Sequence, residues 1–203
     1  MLRLEHISHE YDHENILHDI SIDIEKKSFS VITGESGSGK STLLSIISTL
    51  LKPTKGKLYF DEVERADIPN INHFRNQKVG FVFQFHYLIG HLTVYENIAM
   101  VTKKSRTEIM TMLETLDIQT LAKKYPDQIS GGQRQRAAIA RAMINEPQYI
   151  FADEPTGNLD SYNSDIVFRL LRALDATVIV ATHDHSRIEK NDRIITLKDG
   201  HLC

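Results

Sequence analysis

The stretch Gly34-Glu35-Ser36-Gly37-Ser38-Gly39-Lys40-Ser41 spaces its glycines, its lysine and its final hydroxyl as a phosphate-binding P-loop does. Glycine lets the backbone curl until its N–H groups point inward at phosphate oxygens, and a helix starting at once afterwards adds its positive end to that nest. Lys40 is then placed to hold the β- and γ-phosphates of a nucleotide, and Ser41 to set its hydroxyl on a Mg²⁺ ion bridging the same two groups. With Thr42, these residues form the candidate nucleotide site. The other reading of the same stretch is an ordinary Gly/Ser-rich loop.

A second set of reactive side chains sits at the ends of apolar runs. Residues 148–152 lead into Asp153 and Glu154, and carboxylates there are expensive to bury unless a metal or a proton transfer uses them. Asp153 suits Mg²⁺ through water, and Glu154 is the candidate general base that polarises the attacking water. Gln84 ends the run 79–83 and either reaches Mg²⁺ and the attacking water or is a surface amide. His183 follows the run 177–182, at the same sheet edge, and either touches a γ-phosphate or is one more exposed histidine. Ser130-Gly131-Gly132-Gln133 opens a helix with two glycines, which is either a second anion cradle or a glycine-containing cap. Tyr11 is either a platform for adenine or a tyrosine packed at a strand end.

The elements that must position these groups follow from periodicity. Residues 1–8 and 16–24 read as two antiparallel strands around a polar turn at 11–15, and residues 28–33 as a buried parallel strand feeding the P-loop. A helix is expected over 42–51, stopped by Pro53 and Gly56, before a short strand at 57–60. From residue 85 to 143 the pattern turns helical: Ser105 and Glu108 form a capping box ahead of Ile109, Met112, Leu113 and Leu116, and Ser130 and Gln133 form another. The aromatic and apolar start of that segment, residues 85–92, is either core or a patch for a protein partner. A turn at 155–160, a helix at 161–174, a strand at 177–182 and a terminal hairpin at 193–202 complete the chain.

A chain of 203 residues can bury a sizeable core, and a formal net charge of −3 argues against a nucleic-acid binder, which carries a basic stripe. No apolar run reaches the length of a membrane span, and the first residues lack the apolar centre of a signal peptide, so a cytoplasmic protein is expected. A single cysteine, Cys203, excludes an internal disulfide.

Taken in order, the P-loop, Gln84, Ser130-Gly131-Gly132-Gln133, Asp153-Glu154 and His183 resemble the ATPase subunits of ABC transporters, and the likeness covers essentially the whole chain. The resemblance implies an α/β P-loop NTPase fold with a RecA-like parallel core, an antiparallel β-subdomain and an inserted helical subdomain at about residues 85–145, all within one domain spanning 1–203. It makes Tyr11 the adenine-stacking residue, Gln84 the Q-loop glutamine, residues 130–133 the signature, Asp160 the D-loop aspartate and His183 the switch histidine. Ile129 stands where the family usually has Leu. Thr156-Gly157-Asn158-Leu159-Asp160 looks like the branch of lipoprotein-release, macrolide-export, cell-division and bacteriocin-export ATPases. The implied cofactors are ATP and Mg²⁺. The implied partners are an integral membrane permease subunit, whose coupling helix meets residues 85–98, and a second copy of the chain, with the protein on the cytoplasmic face of the membrane and no nucleic acid bound. The rival reading is a soluble ABC ATPase acting on DNA or ribosomes. A small-molecule phosphotransferase is a third, and it leaves the signature stretch unexplained.

Overall fold

The structure is a computed structural model describing residues 1–12 and 14–203; His13, part of the turn expected at 11–15, lies outside the described residues. In chain order the elements are β1 (Leu2–Tyr11), β2 (Glu14–Ile24), β3 (Phe29–Thr33), α1 (Lys40–Ile47), β4 (Lys55–Phe60), β5 (Val63–Glu64), α2 (Ile71–Lys78) and β6 (Val79–Phe83). They continue with α3 (Val94–Ala99), α4 (Arg106–Thr115), α5 (Gly131–Met143), β7 (Tyr149–Asp153), α6 (Ser161–Arg172), β8 (Thr177–Ala181), β9 (Arg193–Lys198) and β10 (His201–Leu202).

Two sheets organise the chain. One is antiparallel, in the order β2-β1-β4-β5; the other runs β10-β9-β3-β8-β7-β6 and is parallel throughout except for the terminal β9–β10 hairpin. Every residue of β8 is buried, as a parallel strand covered on both faces requires, whereas β1 alternates buried Leu2 and Leu4 with more exposed neighbours. Side chains of β7 point alternately into two cores. Tyr149 and Phe151 join α1 and the antiparallel sheet, through Leu43, Ile46, Leu4 and Phe60, while Ile150 and Ala152 face α3, α4 and α5.

Two expectations need correction, and one helix went unread. α1 begins at Lys40 and ends at Ile47, so it is displaced towards the P-loop relative to 42–51. Its end is set by Thr49, which turns left-handed with φ 68° and offers its carbonyl and hydroxyl to the Arg75 guanidinium. That arginine lies on α2, a helix whose apolar side is Ile71 and Phe74 alone, too short a stripe to betray it. Tyr11 belongs to β1, paired with Glu14 of β2, rather than to an open turn.

Candidate functional site

The P-loop joins β3 to α1 along the carboxyl edge of the parallel sheet. α1 has no side-chain cap and no acidic residue in its first turn, so its first N–H groups and its positive end remain directed at the loop's hollow. Gly39, at φ 97°, abuts β2 so closely that a Cβ there would come within 2.7 Å of the Leu17 side chain. Lys40 folds across the loop and donates from Nζ to the carbonyls of Gly34 at 2.9 Å and Glu35 at 2.7 Å. The loop is also clasped from below. Gly200 N–H donates to the Ser38 carbonyl at 3.2 Å, and the Gly200 carbonyl accepts from His18 N–H at 2.9 Å.

The acidic pair lies at the end of β7. Ser41 Oγ donates to Asp153 Oδ1 at 3.1 Å, which joins the P-loop hydroxyl to the strand-end carboxyl. Burial pushes the Asp153 carboxyl above the usual range and the neighbouring Glu154 adds to this, against the Ser41 hydrogen bond and the nearby Lys40 charge. A cation or the lysine drawn closer would offset that cost. Ser41 and Asp153 are hard oxygen donors, and among the described residues no cluster of three or more His, Cys, Asp or Glu could hold a metal alone. Such a pair fits a cation whose remaining ligands are phosphate and water.

Glu154 departs into a left-handed conformation, φ 43°, and so turns away from Asp153 towards β8. Its Oε2 accepts from Thr182 Oγ1 at 3.0 Å, and its Oε1 from His183 N–H at 3.1 Å and from His183 Nδ1 at 2.8 Å. The carboxylate is 18% exposed and the imidazole 71%, so a fixed carboxylate lies behind an open histidine. Three donors orient that carboxylate.

The signature stretch begins α5. Ser130 Oγ accepts from Gln133 N–H at 3.3 Å and Gln133 Oε1 accepts from Ser130 N–H at 2.9 Å, the reciprocal cap expected from the sequence. The cap leaves the Gly131 and Gly132 N–H groups without a capping side chain, and Ser130 is exposed. Asp160 caps α6 by accepting from Asn163 N–H at 2.9 Å, and its second oxygen accepts from Asn163 Nδ2 at 2.7 Å. Those hydrogen bonds, the backbone one foremost, hold the Asp160 carboxyl below the usual carboxylate range.

The structure brings Gly34 to Thr42, Asp153, Glu154 and His183 together at one sheet edge and stands Ser130, Gly131, Gly132, Gln133 and Asp160 on another support, α5 and the start of α6. Gln84 leaves β6 beside the acidic turn, where its Nε2 lies 2.5 Å from the place a Cβ of Gly157 would occupy; Ser41 and Asp153 are paired without it. Tyr11 is exposed and meets His9 edge-on, with ring centroids 4.6 Å apart, on the hairpin whose Ile16 and Leu17 touch Gly39. Sequence reasoning missed Thr182, Asn163 and Gly200, which hold Glu154, Asp160 and Ser38. Asn163 stands at the cap spacing, three residues after Asp160, whereas Thr182 and Gly200 have no local spacing that would reveal them.

Comparison with known proteins gives the family and the fold. Residues 17–157 match the ABC transporter family. A lipoprotein-releasing system ATP-binding protein, LolD 1, of Chlorobium chlorochromatii is 42% identical over 94% of this chain and 83% of its own length. The LolD protein of Leptospira interrogans is 40% identical over 95% and 86%. Among solved structures, the dimeric ABC transporter cassette MJ0796 superimposes with a TM-score of 0.90 at 37% identity, covering 100% of this chain and 96% of that one. The same cassette in a post-hydrolysis dimer with ADP and Pi gives 0.88 at 36% identity, over the same shares. Its parallel sheet, P-loop and acidic strand end make this a P-loop NTPase, and the chain belongs to the ABC transporter family as a subunit that binds and hydrolyses ATP.

Proposed function

We propose that two copies of the chain, related by a two-fold axis, enclose two ATP molecules with Mg²⁺ and drive a membrane permease that releases lipoproteins. The observation that carries the reading is the start of α5, where Ser130 is exposed and no side chain caps the Gly131 and Gly132 N–H groups. The Cα side of the two glycines packs on the D-loop turn and α6, with Leu159 and Asn163 nearest, and not on the chain's own P-loop. A second copy can lay that start on the γ-phosphate held by the first, in an interface that uses the same surfaces on both sides. The dimeric form of the MJ0796 cassette supports it.

Within the closed site each residue has a task. Tyr11 stacks on adenine, Lys40 and the loop N–H groups hold the phosphates, and Ser41, Asp153 and Gln84 would hold Mg²⁺. The ion would neutralise charge on the β- and γ-phosphates. Glu154, fixed by Thr182 and His183, takes the proton of the attacking water, and His183 reaches the γ-phosphate. Three relatives, 39% to 42% identical, are named for lipoprotein release, which favours that cargo over other exports.

The permease would hold the chain at the membrane surface, since among the described residues no helix is long and apolar enough to cross it. The soluble reading fares worse: helices of 6, 10 and 13 residues make up the helical segment, with no long coiled coil. Glu154→Gln keeps size and hydrogen bonding but cannot accept the proton, so it should bind ATP, stop turnover and form a stable dimer by light scattering. Adding Ser130→Arg should return monomers. A Glu154→Gln chain that stays monomeric with ATP even when assembled with its membrane subunit would refute the dimer.

A further inference from the structure

The strap between Gln84 and Thr93 connects the Q-loop to α3 without regular structure, and it is held at both ends. At the far end Asn97, fully buried, accepts from Ile89 N–H at 2.7 Å and donates to the carbonyls of Ile89, Leu92 and Thr93 at 3.0 to 3.1 Å. At the near end the chain makes two successive left-handed residues, His86 at φ 59° and Tyr87 at φ 45°. Side-chain-bearing residues disfavour that conformation, and it persists only where the surroundings impose it. Here His86 N–H closes the turn on the Phe83 carbonyl at 3.2 Å, the Tyr87 ring meets Phe83 edge-on, and one side chain from another element grips the turn. Arg141, on α5, donates from Nη1 to the Tyr87 carbonyl at 2.7 Å and from Nη2 to the His86 carbonyl at 2.8 Å. The His86 ring lies beside Gly131 and Arg134 at the start of the same helix. Phe85 and Tyr87 project outward from this turn, 65% and 62% exposed.

We propose that Arg141 is the positioning residue through which the signature helix carries the Gln84 turn and its two exposed aromatic rings. α5 is one unbroken helix of 13 residues, so a shift imposed on Ser130 and Gly131 by nucleotide reaches Arg141 about 15 Å along the axis without loss. The planar fork of the guanidinium holds two consecutive carbonyls at once, which fixes the strap's orientation as well as its distance. Lysine can supply charge but not that fork. The transmission half of this inference rests on the ATP-dependent dimer proposed above; the clamp itself does not.

Hydrogen exchange measured by mass spectrometry on residues 84–89, with light scattering on the same samples, tests both halves. In the nucleotide-free chain, Arg141→Gln should accelerate exchange of these amides by at least about tenfold and leave the rest of α5 unchanged, because two hydrogen bonds from a charged donor are lost. Arg141→Lys should fall between. In a Glu154→Gln background ATP should slow exchange of the strap, and Glu154→Gln with Arg141→Gln should dimerise as before while the strap no longer responds. Unchanged exchange in the nucleotide-free Arg141→Gln and Arg141→Lys chains overturns the clamp. A strap that still responds to ATP in the double variant, or a double variant that no longer dimerises, overturns the transmission role. If Glu154→Gln alone never dimerises, the dimer reading fails on light scattering and the transmission role falls with it, whereas the nucleotide-free measurement still decides the clamp.

Discussion

Asn163 Oδ1 lies 2.4 Å from the point where a Cβ on Gly132 would stand, so the second signature glycine exists to admit a side chain from α6. Because Asn163 is also bonded to Asp160 through both backbone and side chain, the D-loop and the signature share one contact. Gly132→Ala should destabilise the chain by about 1–3 kcal/mol through overpacking, and pairing it with Asn163→Ala should restore part of that. Thermal unfolding of the two single variants and the double variant gives the coupling. Purely additive losses would show that α5 and α6 yield independently.

Thr182 orients the proposed base without touching nucleotide. Thr182→Val preserves the shape of the side chain and removes one of the three donors on Glu154, together with the acceptor of Asp184 N–H. Turnover should fall by about tenfold, the order expected for one hydrogen bond to a charged group, with the KM for ATP little changed. Steady-state ATP hydrolysis by the purified chain separates the two parameters. An equal change in KM would place Thr182 in binding instead.

The proposed partner-facing surface is narrower than residues 85–98. Leu88, Val94 and Ile98 pack against the helical core, and the outward rings are Phe85 and Tyr87. Phe85→Asp or Tyr87→Asp should weaken assembly with a membrane subunit while hydrolysis by the free chain persists. Leu88→Asp should instead lower the thermal midpoint. Co-purification and melting curves of the three variants distinguish a docking surface from core.

Two capping boxes make the helical segment acid-sensitive. Glu96 accepts from Thr93 N–H and hydroxyl, and Glu108 likewise from Ser105; the backbone bond first and the hydroxyl second hold both carboxyls below the ordinary glutamate range. A folded-state value below the unfolded one adds stability that is complete above the ordinary glutamate range and is lost as pH falls through the folded value. The thermal midpoint should therefore drop between about pH 6 and about pH 3, and less steeply in the Glu96→Gln, Glu108→Gln chain. An identical slope in that chain would assign the acid loss to other carboxyls.

The legible parts were those encoded by neighbours in sequence. The P-loop, the strand-end acids and the Ser130–Gln133 cap each depend on residues a few positions apart, and fold as spaced. Apart from Asn163, three residues after Asp160, the site contacts that escaped reach across the chain. Thr182 meets Glu154 from 28 residues away, and Arg141 meets His86 from 55. The facing of Phe85 against Leu88 escaped for another reason: the strap has no regular period, so no spacing assigns its sides. α2 was invisible because only Ile71 and Phe74 give it an apolar side, with Phe74 against Phe60, and two residues make too short a stripe to read.

The clasp beneath the P-loop has a consequence for how the protein comes into being. Ser38 is held by Gly200, and Gly200 by His18, so this brace on the phosphate cradle forms only when the earliest hairpin and the last one meet. A chain emerging from the ribosome carries the P-loop long before it carries residue 200, and a contact across so many residues forms slowly. Nascent chains thus expose the motif in full before its brace exists.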